Sequence, residues 1–341
     1  MNSNRKVGVL LVNLGTPQSP SLRHVFNYLN EFLTDPRVID LPWFKRQLLV
    51  RGIIVPAKLR QSTTFYQKLW MPEGSPLLVH GLALRNQLQI QLGECYKVVL
   101  GMRYQQPSLA QALEELKQAH VDKIVVLPLF PQYASATTGS VHQKIMELIK
   151  GWNVIPELHL INSFPDHPAF INALLERSKE YPLDQFEHVL FSFHGLPERH
   201  LTAATVPGKC QVEGCCQKLS SGNQHCYKGQ CYVTVRALSA KLGIGPEKYT
   251  VCFQSRLGKD PWITPYTSEV IHQLALKGIK RVLVFCPAFV CDCLETTIEI
   301  SHEYAQEFRR RGGELLQLVE GLNSHPIWIE GVKQLILENE G

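Results

Sequence analysis

Short apolar runs alternate with longer amphipathic stretches along nearly the whole chain. Val7 to Val12 is a continuous apolar run that stops at Asn13-Leu14-Gly15-Thr16-Pro17, the pattern of a buried strand ended by a turn. Val189 to Phe193 does the same, and ends in His194 followed by Gly195-Leu196-Pro197. Further β-prone runs occupy Tyr96 to Arg103, Tyr249 to Arg256, and the stretches that begin at Val121 and Ile279. Helical periodicity follows at Leu109 to Ala119, at Ser268 to Lys277 and at Ile327 to Leu337. Strands alternating with amphipathic helices predict parallel sheets covered by helices on both faces.

The pattern repeats. VLLVNLGTP aligns with VLFSFHGLP, so that Gly15 meets Gly195, Pro17 meets Pro197, and Leu14 stands opposite His194. YKVVLGMR aligns with YTVCFQSR, which pairs Arg103 with Arg256. VDKIVVLPLFPQYASATTGS aligns with IKRVLVFCPAFVCDCLETTIEI, which places Ala136 opposite Glu295. Matched strand ends in the same order indicate a duplicated unit. The expected fold is α/β: two similar doubly wound, Rossmann-like domains facing a central cleft. The boundaries read as 1–165, 166–325 and a C-terminal helix at 326–341. Two stretches break the repeat, an apolar and basic excursion at 30–78 and a cysteine-rich insert at 207–232.

Composition narrows the class. The chain has 341 residues, 45% hydrophobic and 19% charged, as in an ordinary globular protein. A net charge of +5 is too mild for a dedicated nucleic-acid binder, and no such motif occurs. No apolar run approaches the ~20 residues that cross a bilayer, and VGVLLV is too short for a signal-peptide core. The expected location is the cytoplasm. The excursion mixes Trp43, Phe44 and Ile53 with basic residues from Arg37 to Lys68, which suits a lid or peripheral contact with the inner face of a membrane.

The candidate chemistry lies at strand ends, where ligands bind in open α/β sheets. His194 and Glu295 fall in the second half, where the first half carries Leu14 and Ala136. One wall of a cleft is then reactive and the other apolar, which suits a flat apolar ligand. Asp292 is a candidate N-cap with Glu295 closing a capping box, and Glu299 lies four residues further along the same helical face. Imidazole and carboxylate together can accept protons and hold Fe²⁺ transiently. Arg103 and Arg256 suit ligand carboxylates, Tyr104 and Tyr133 a planar ring, and Ser255 a polar loop lining the cleft.

LLVNLGTP, GMRYQQPSL, PLFPQYASATTGS, SFHGLPER, FQSRLGKDPWITPYT and DCLETTIEI together resemble the ferrochelatase family over nearly the whole chain and in the same order. The resemblance implies a lyase that inserts Fe²⁺ into protoporphyrin IX at the end of haem synthesis. It implies that His194 is the essential histidine, Glu295 its partner acid and Glu299 the next acid in a row. Cys293 stands where many members have a histidine. Leu14 stands where the coproporphyrin branch tends to carry Tyr, which favours protoporphyrin. The alternatives are a non-catalytic porphyrin or haem carrier, and a chelatase for another tetrapyrrole such as coproporphyrin III.

Five of the ten cysteines lie in the insert: Cys210, Cys215, Cys216, Cys226 and Cys231. A disulfide framework is not expected in the reducing cytosol. Four thiolates suit a [2Fe–2S] cluster or Zn²⁺, although no Cys-x₂-Cys knuckle is present. Some ferrochelatases carry such a cluster on internal cysteines, so the resemblance favours [2Fe–2S]. Which four of the five bind is open, although the adjacent Cys215 and Cys216 are poorly placed to ligate together.

Overall fold

The computed structural model describes residues 5–208, 210, 214–256, 258 and 260–340. Lys209 and residues 211–213 of the cysteine insert, and Leu257 and Lys259 of the polar loop, lie outside them. The chain forms two units. The first comprises Met1–Phe130, Ser135–Ser163 and Asn323–Gly341; the second comprises Pro131–Ala134 and Phe164–Leu322.

In the first unit, β1 (Val7–Gly15), β2 (Tyr96–Tyr104), β3 (Lys123–Pro128) and β4 (Glu157–Leu160) form a parallel sheet in the order β2-β1-β3-β4. β1 and β3 are apolar apart from Asn13 and Lys123 and buried almost throughout, because helices cover both faces of the sheet and leave no solvent side. Leu10, Val12, Ile124 and Val126 pack against Leu113 and Leu116 of the helix Leu109–Gln118 and Ile145 of the helix Ser140–Ile149. Each such side chain contributes roughly 1.5–3 kcal/mol by leaving water. Ser108 caps the helix Leu109–Gln118 in a reciprocal box with Gln111. The C-terminal helix Pro326–Glu338 packs against the helix Pro76–Leu92 of this unit and buries Trp328 completely.

The second unit repeats the plan. β5 (His188–His194), β6 (Tyr249–Gln254), β7 (Arg281–Phe285) and β8 (Leu315–Leu318) are parallel in the order β6-β5-β7-β8. Leu190, Val282 and Val284 pack against Ile271, Ile300 and Phe308. In both sheets the chain leaves the first strand to one side and then crosses to the other. The crevice at the carboxyl ends of β1 and β3, and of β5 and β7, is therefore a topological switch point, where open α/β sheets bind ligands.

The excursion between β1 and β2 is helical, with helices Leu22–Leu33, Trp43–Leu49 and Val55–Leu69 and a π-helical turn at Val50–Ile54. Leu33, Ile39, Val50 and Val55 form its own small core. Its outer face is apolar: Trp43 is 67% and Phe44 71% exposed, with Leu48 and Ile53 exposed beside them. Among the described residues no helix is long and apolar enough to cross a membrane.

Candidate active site

His194 is the last residue of β5, at the switch point of the second unit, and is half-buried. The turn that follows it is pinned to the neighbouring loop. The Gly195 N–H donates to the Gln254 carbonyl at 2.7 Å, Glu198 N–H to the Pro261 carbonyl at 3.0 Å, and Ile263 N–H to the Leu196 carbonyl at 3.0 Å. Only glycine fits at 195, because a Cβ would lie 2.9 Å from the Gln254 carbonyl oxygen and 3.2 Å from the Trp262 ring. The imidazole is flanked by Trp262 and Phe289, with ring centroids 6.5 and 6.4 Å away, and its Nδ1 lies 2.6 Å from the Gly195 carbonyl oxygen.

The acids follow β7. The helix Leu294–Tyr304 is π-helical and carries Glu295 and Glu299, both half-buried. Its N-cap is Cys293, and Thr296 closes the capping box. This corrects the expected pairing of Asp292 with Glu295: the Asp292 carboxylate instead accepts from the Gly321 N–H at 2.9 Å. Glu295 is thereby not consumed as a cap; burial first, and then the charge and hydrogen bond of the Glu295 carboxylate, push the Cys293 thiol up.

Glu299 is surrounded by donors. It accepts from the Ser255 N–H at 3.0 Å, the Ser255 hydroxyl at 2.5 Å, the Gln254 amide at 3.1 Å and the Tyr304 hydroxyl at 3.0 Å. Burial and the neighbouring Glu299 charge push the Tyr304 phenol well above its ordinary range, so it stays a donor. Ser255 holds this position with φ +65°, a left-handed conformation uncommon outside glycine and found where function constrains the backbone.

Gln254 ties the two halves of the site together. Its backbone carbonyl holds the turn after His194, while its amide donates to the Glu295 carbonyl at 2.8 Å and to Glu299. The Ser192 hydroxyl, one strand away, fixes the amide orientation by donating to Oε1 at 2.6 Å.

The other expected residues are distributed differently. Leu14 is half-buried at the end of β1, at the first unit's switch point. Arg103 pairs with Asp35 at 2.5 Å and donates to the Ser140 hydroxyl at 2.7 Å. Tyr104 is 1% exposed, and its hydroxyl donates to Asp35 at 2.9 Å, so its ring is committed to the core of the first unit. Arg256 is exposed and lies over the Tyr266 ring at 5.3 Å. Tyr133 donates its N–H to the Gln230 side chain at 2.7 Å and lies beside the His225 ring, next to the cysteine insert.

The ferrochelatase family model matches residues 6–340. The ferrochelatase of Legionella pneumophila (strain Lens) is 45% identical over 331 residues, covering 97% of this chain and 98% of its own. That of Coxiella burnetii (strain Dugway 5J108-111) is 43% identical over 344 residues, covering 98% and 94%. The chain belongs to the ferrochelatase family. The same chelatase-like fold occurs in SirB from Bacillus subtilis, solved with Fe³⁺, which superposes with a TM-score of 0.54 at 11% identity over 98% of this chain and 95% of that one.

Some ferrochelatases carry a [2Fe–2S] cluster, which makes the insert a test of fit. Cys226 caps the helix Tyr227–Leu242 and is completely buried, as is Cys231 one turn on; Cys216 is buried beside Cys226. A hydrogen bond from the Cys216 thiol, with others from the Gly229 and Lys228 N–H groups, holds the Cys226 thiol below its ordinary value against the burial that raises it. The Cys215 and Cys216 sulfurs are 4.0 Å apart, and Cys210 is half-exposed. Among the described residues, no three His, Cys, Asp or Glu side chains converge tightly enough to hold a metal. Among the described residues, the insert therefore gathers thiols without a finished cage.

The sequence did not point to Tyr304, which lies five residues beyond Glu299. In an α-helix the two would diverge; in a π-helix, closed by i→i+5 bonds, they stack. The signal was available only in the backbone.

Proposed function

We propose that this ferrochelatase-family chain is a lyase that inserts Fe²⁺ into protoporphyrin IX, the last step of haem synthesis. The observation that carries the proposal is the bridge made by Gln254 between the turn that follows His194 and the Glu295–Glu299 helix. The reaction exchanges two pyrrole N–H protons for one Fe²⁺. A ring lying against the carboxyl ends of β5 and β7 meets an imidazole that can take a proton and a carboxylate that can compensate the positive charge so formed. Glu299, already satisfied by four donors, leads protons or metal away from or toward that point. Bending the macrocycle tilts the nitrogen lone pairs to one face, so one polar switch point is enough. Leu14, rather than a tyrosine, favours protoporphyrin over coproporphyrin as the ring.

The deciding assay is anaerobic, with Fe²⁺ and protoporphyrin IX run beside coproporphyrin III, and follows loss of the free-base absorption bands. Insertion into protoporphyrin at the higher kcat/KM supports the proposal. Binding of either ring without insertion would identify a carrier instead.

Two further parts belong to the same proposal. Four of Cys210, Cys215, Cys216, Cys226 and Cys231 would hold a [2Fe–2S] cluster after the insert closes, supplying structure rather than electrons. Anaerobically purified protein should then show visible absorbance and two irons per chain beyond substrate, both lost in Cys226→Ser; a colourless, iron-free preparation would overturn it. The exposed Trp43, Phe44, Leu48 and Ile53, near basic Lys45 and Arg51, would rest on an anionic membrane surface. Co-sedimentation with phosphatidylserine vesicles that fails in Trp43→Ser/Phe44→Ser checks this.

A further inference from the structure

Parallel strands alternate the direction of their backbone groups, and this leaves one carbonyl at the site in need of a partner. The Gly195 N–H points toward β6, where it meets the Gln254 carbonyl. The carbonyl of the preceding residue, His194, points to the opposite edge. There the ladder to β7 has already ended, at Phe191 opposite Phe285. The partner of the His194 carbonyl is a side chain: the Tyr227 hydroxyl donates to it at 2.9 Å.

Tyr227 is placed rigidly. It is the first residue of the helix Tyr227–Leu242, follows the buried cap residue Cys226, and is only 6% exposed. Its hydroxyl is also within hydrogen-bonding reach of the Cys231 thiol, one turn along the same helix. Burial and the Cys231 sulfur hold the phenol well above its ordinary range, so the hydroxyl remains a donor. Glycine at 229 lets this first turn sit tightly, since a Cβ there would lie 2.7 Å from Leu219.

We propose that Tyr227 is a positioning residue for metal insertion: its hydroxyl holds the His194 carbonyl and so sets the aim of the imidazole. This rests on the assignment of His194 as the proton acceptor. It also gives the cysteine insert a physical route to the site, because the residue next to Cys226 touches the last residue of β5. Strain or loosening in the insert is transmitted through one hydroxyl to the backbone that carries the imidazole.

Tyr227→Phe keeps the ring and removes only the hydroxyl. In the Fe²⁺ and protoporphyrin IX assay, kcat should fall about tenfold while KM for the porphyrin and the thermal midpoint stay close to wild type, since orientation rather than binding is lost. A kcat within twofold of wild type overturns the proposal, and so does a parallel loss of kcat, porphyrin binding and folding. A second measurement needs no turnover. In ¹⁵N-histidine-labelled protein, the His194 ring signals, identified by their absence in His194→Ala, should shift in Tyr227→Phe while those of His188, at the opposite end of β5, do not. Unchanged His194 signals also overturn it. If His194→Ala turns over normally, the assignment of His194 fails, whatever the NMR shows for Tyr227.

Discussion

The two switch points are built on one scaffold and filled with opposite chemistry. With Gly15 matched to Gly195, Val9 pairs with Val98 and Val189 with Tyr249; five residues further on, Arg103 and Gln254 occupy the same register. The sequence alignment had matched Arg103 to Arg256, two residues away. The structural register makes the contacts agree. Arg103 and Tyr104 reach Ser140, while Gln254 and Ser255 reach Glu299, and Ser140 and Glu299 each lie two residues past the matched threonine pair. In the first unit an arginine and a phenol close on Asp35, and the network is sealed in the core. In the second unit the arginine is replaced by a neutral amide and the serine by an acid, whose hydrogen-bond donors at Gln254, Ser255 and Tyr304 are all neutral groups. A duplicated fold thus keeps its hydrogen-bonding positions, and exchanging the residues there separates a buried ion-pair lock from the candidate site.

The sharpest way to break this comparison is His194→Ala. Metal insertion should fall by ~10²–10⁴, the range lost with a positioned proton acceptor, while porphyrin binding followed by fluorescence quenching persists. Normal turnover would mean that the second switch point is not the reactive one.

Asp35 tests the first unit. Burial works to raise its carboxyl, but hydrogen bonds from Ser140 and the Arg37 N–H, the Arg103 charge and the Tyr104 hydroxyl outweigh it and hold it below the ordinary value. Removing one partner of a buried pair costs about 3–5 kcal/mol, so Asp35→Ala should lower unfolding stability by that order in urea melts. A depressed carboxyl adds stability above its ordinary pKa of ~4 and loses it as pH falls further. The gap between wild type and Asp35→Ala should therefore narrow below about pH 4, and a gap constant down to pH 2 would show that the charge is not what matters.

Gln254→Leu should cost about 2 kcal/mol in kcat/KM, since it removes the amide that joins Ser192 to the Glu295 backbone and to Glu299. An equal loss in Ser192→Ala would place the effect in the amide orientation. The smallest effect is expected from Leu14→Tyr. A hydroxyl at the end of β1 should reduce kcat/KM for protoporphyrin by no more than about tenfold and narrow its advantage over coproporphyrin, within the ~1–3 kcal/mol that one pocket contact commands. No change in the ratio of the two rings would remove Leu14 from specificity.

Much of this was legible in the chain. The apolar runs ending at Gly15 and Gly195 marked β1 and β5, because strands covered on both faces carry no polar alternation. The recurrence of three strand ends in order anticipated two sheets with the same strand order. It placed His194 and Glu295 at one sheet end without any coordinates. Less visible were contacts between side chains far apart in sequence. Tyr104 follows a strand and resembles a ligand-stacking residue, yet Asp35 draws its hydroxyl inward. The helix Ile327 to Leu337 read as a terminal element, yet it lies on Pro76–Leu92 in the first unit. The π-helical winding that stacks Tyr304 beneath Glu299 leaves no trace in residue spacing read at 3.6 per turn.

By itself the sequence determined the parallel α/β architecture, its doubling, and which half carries an imidazole and acids. These follow from hydrophobic period and turn residues, which act over a few neighbours at a time. Only the tertiary structure decided that Gln254 joins the two halves of the site, that Arg103 and Tyr104 are spent on Asp35, and that Tyr227 holds the end of β5. Those outcomes depend on which buried donor finds which acceptor once the strands have paired. That competition is settled by distance in space, and distance in space is not written in the order of residues.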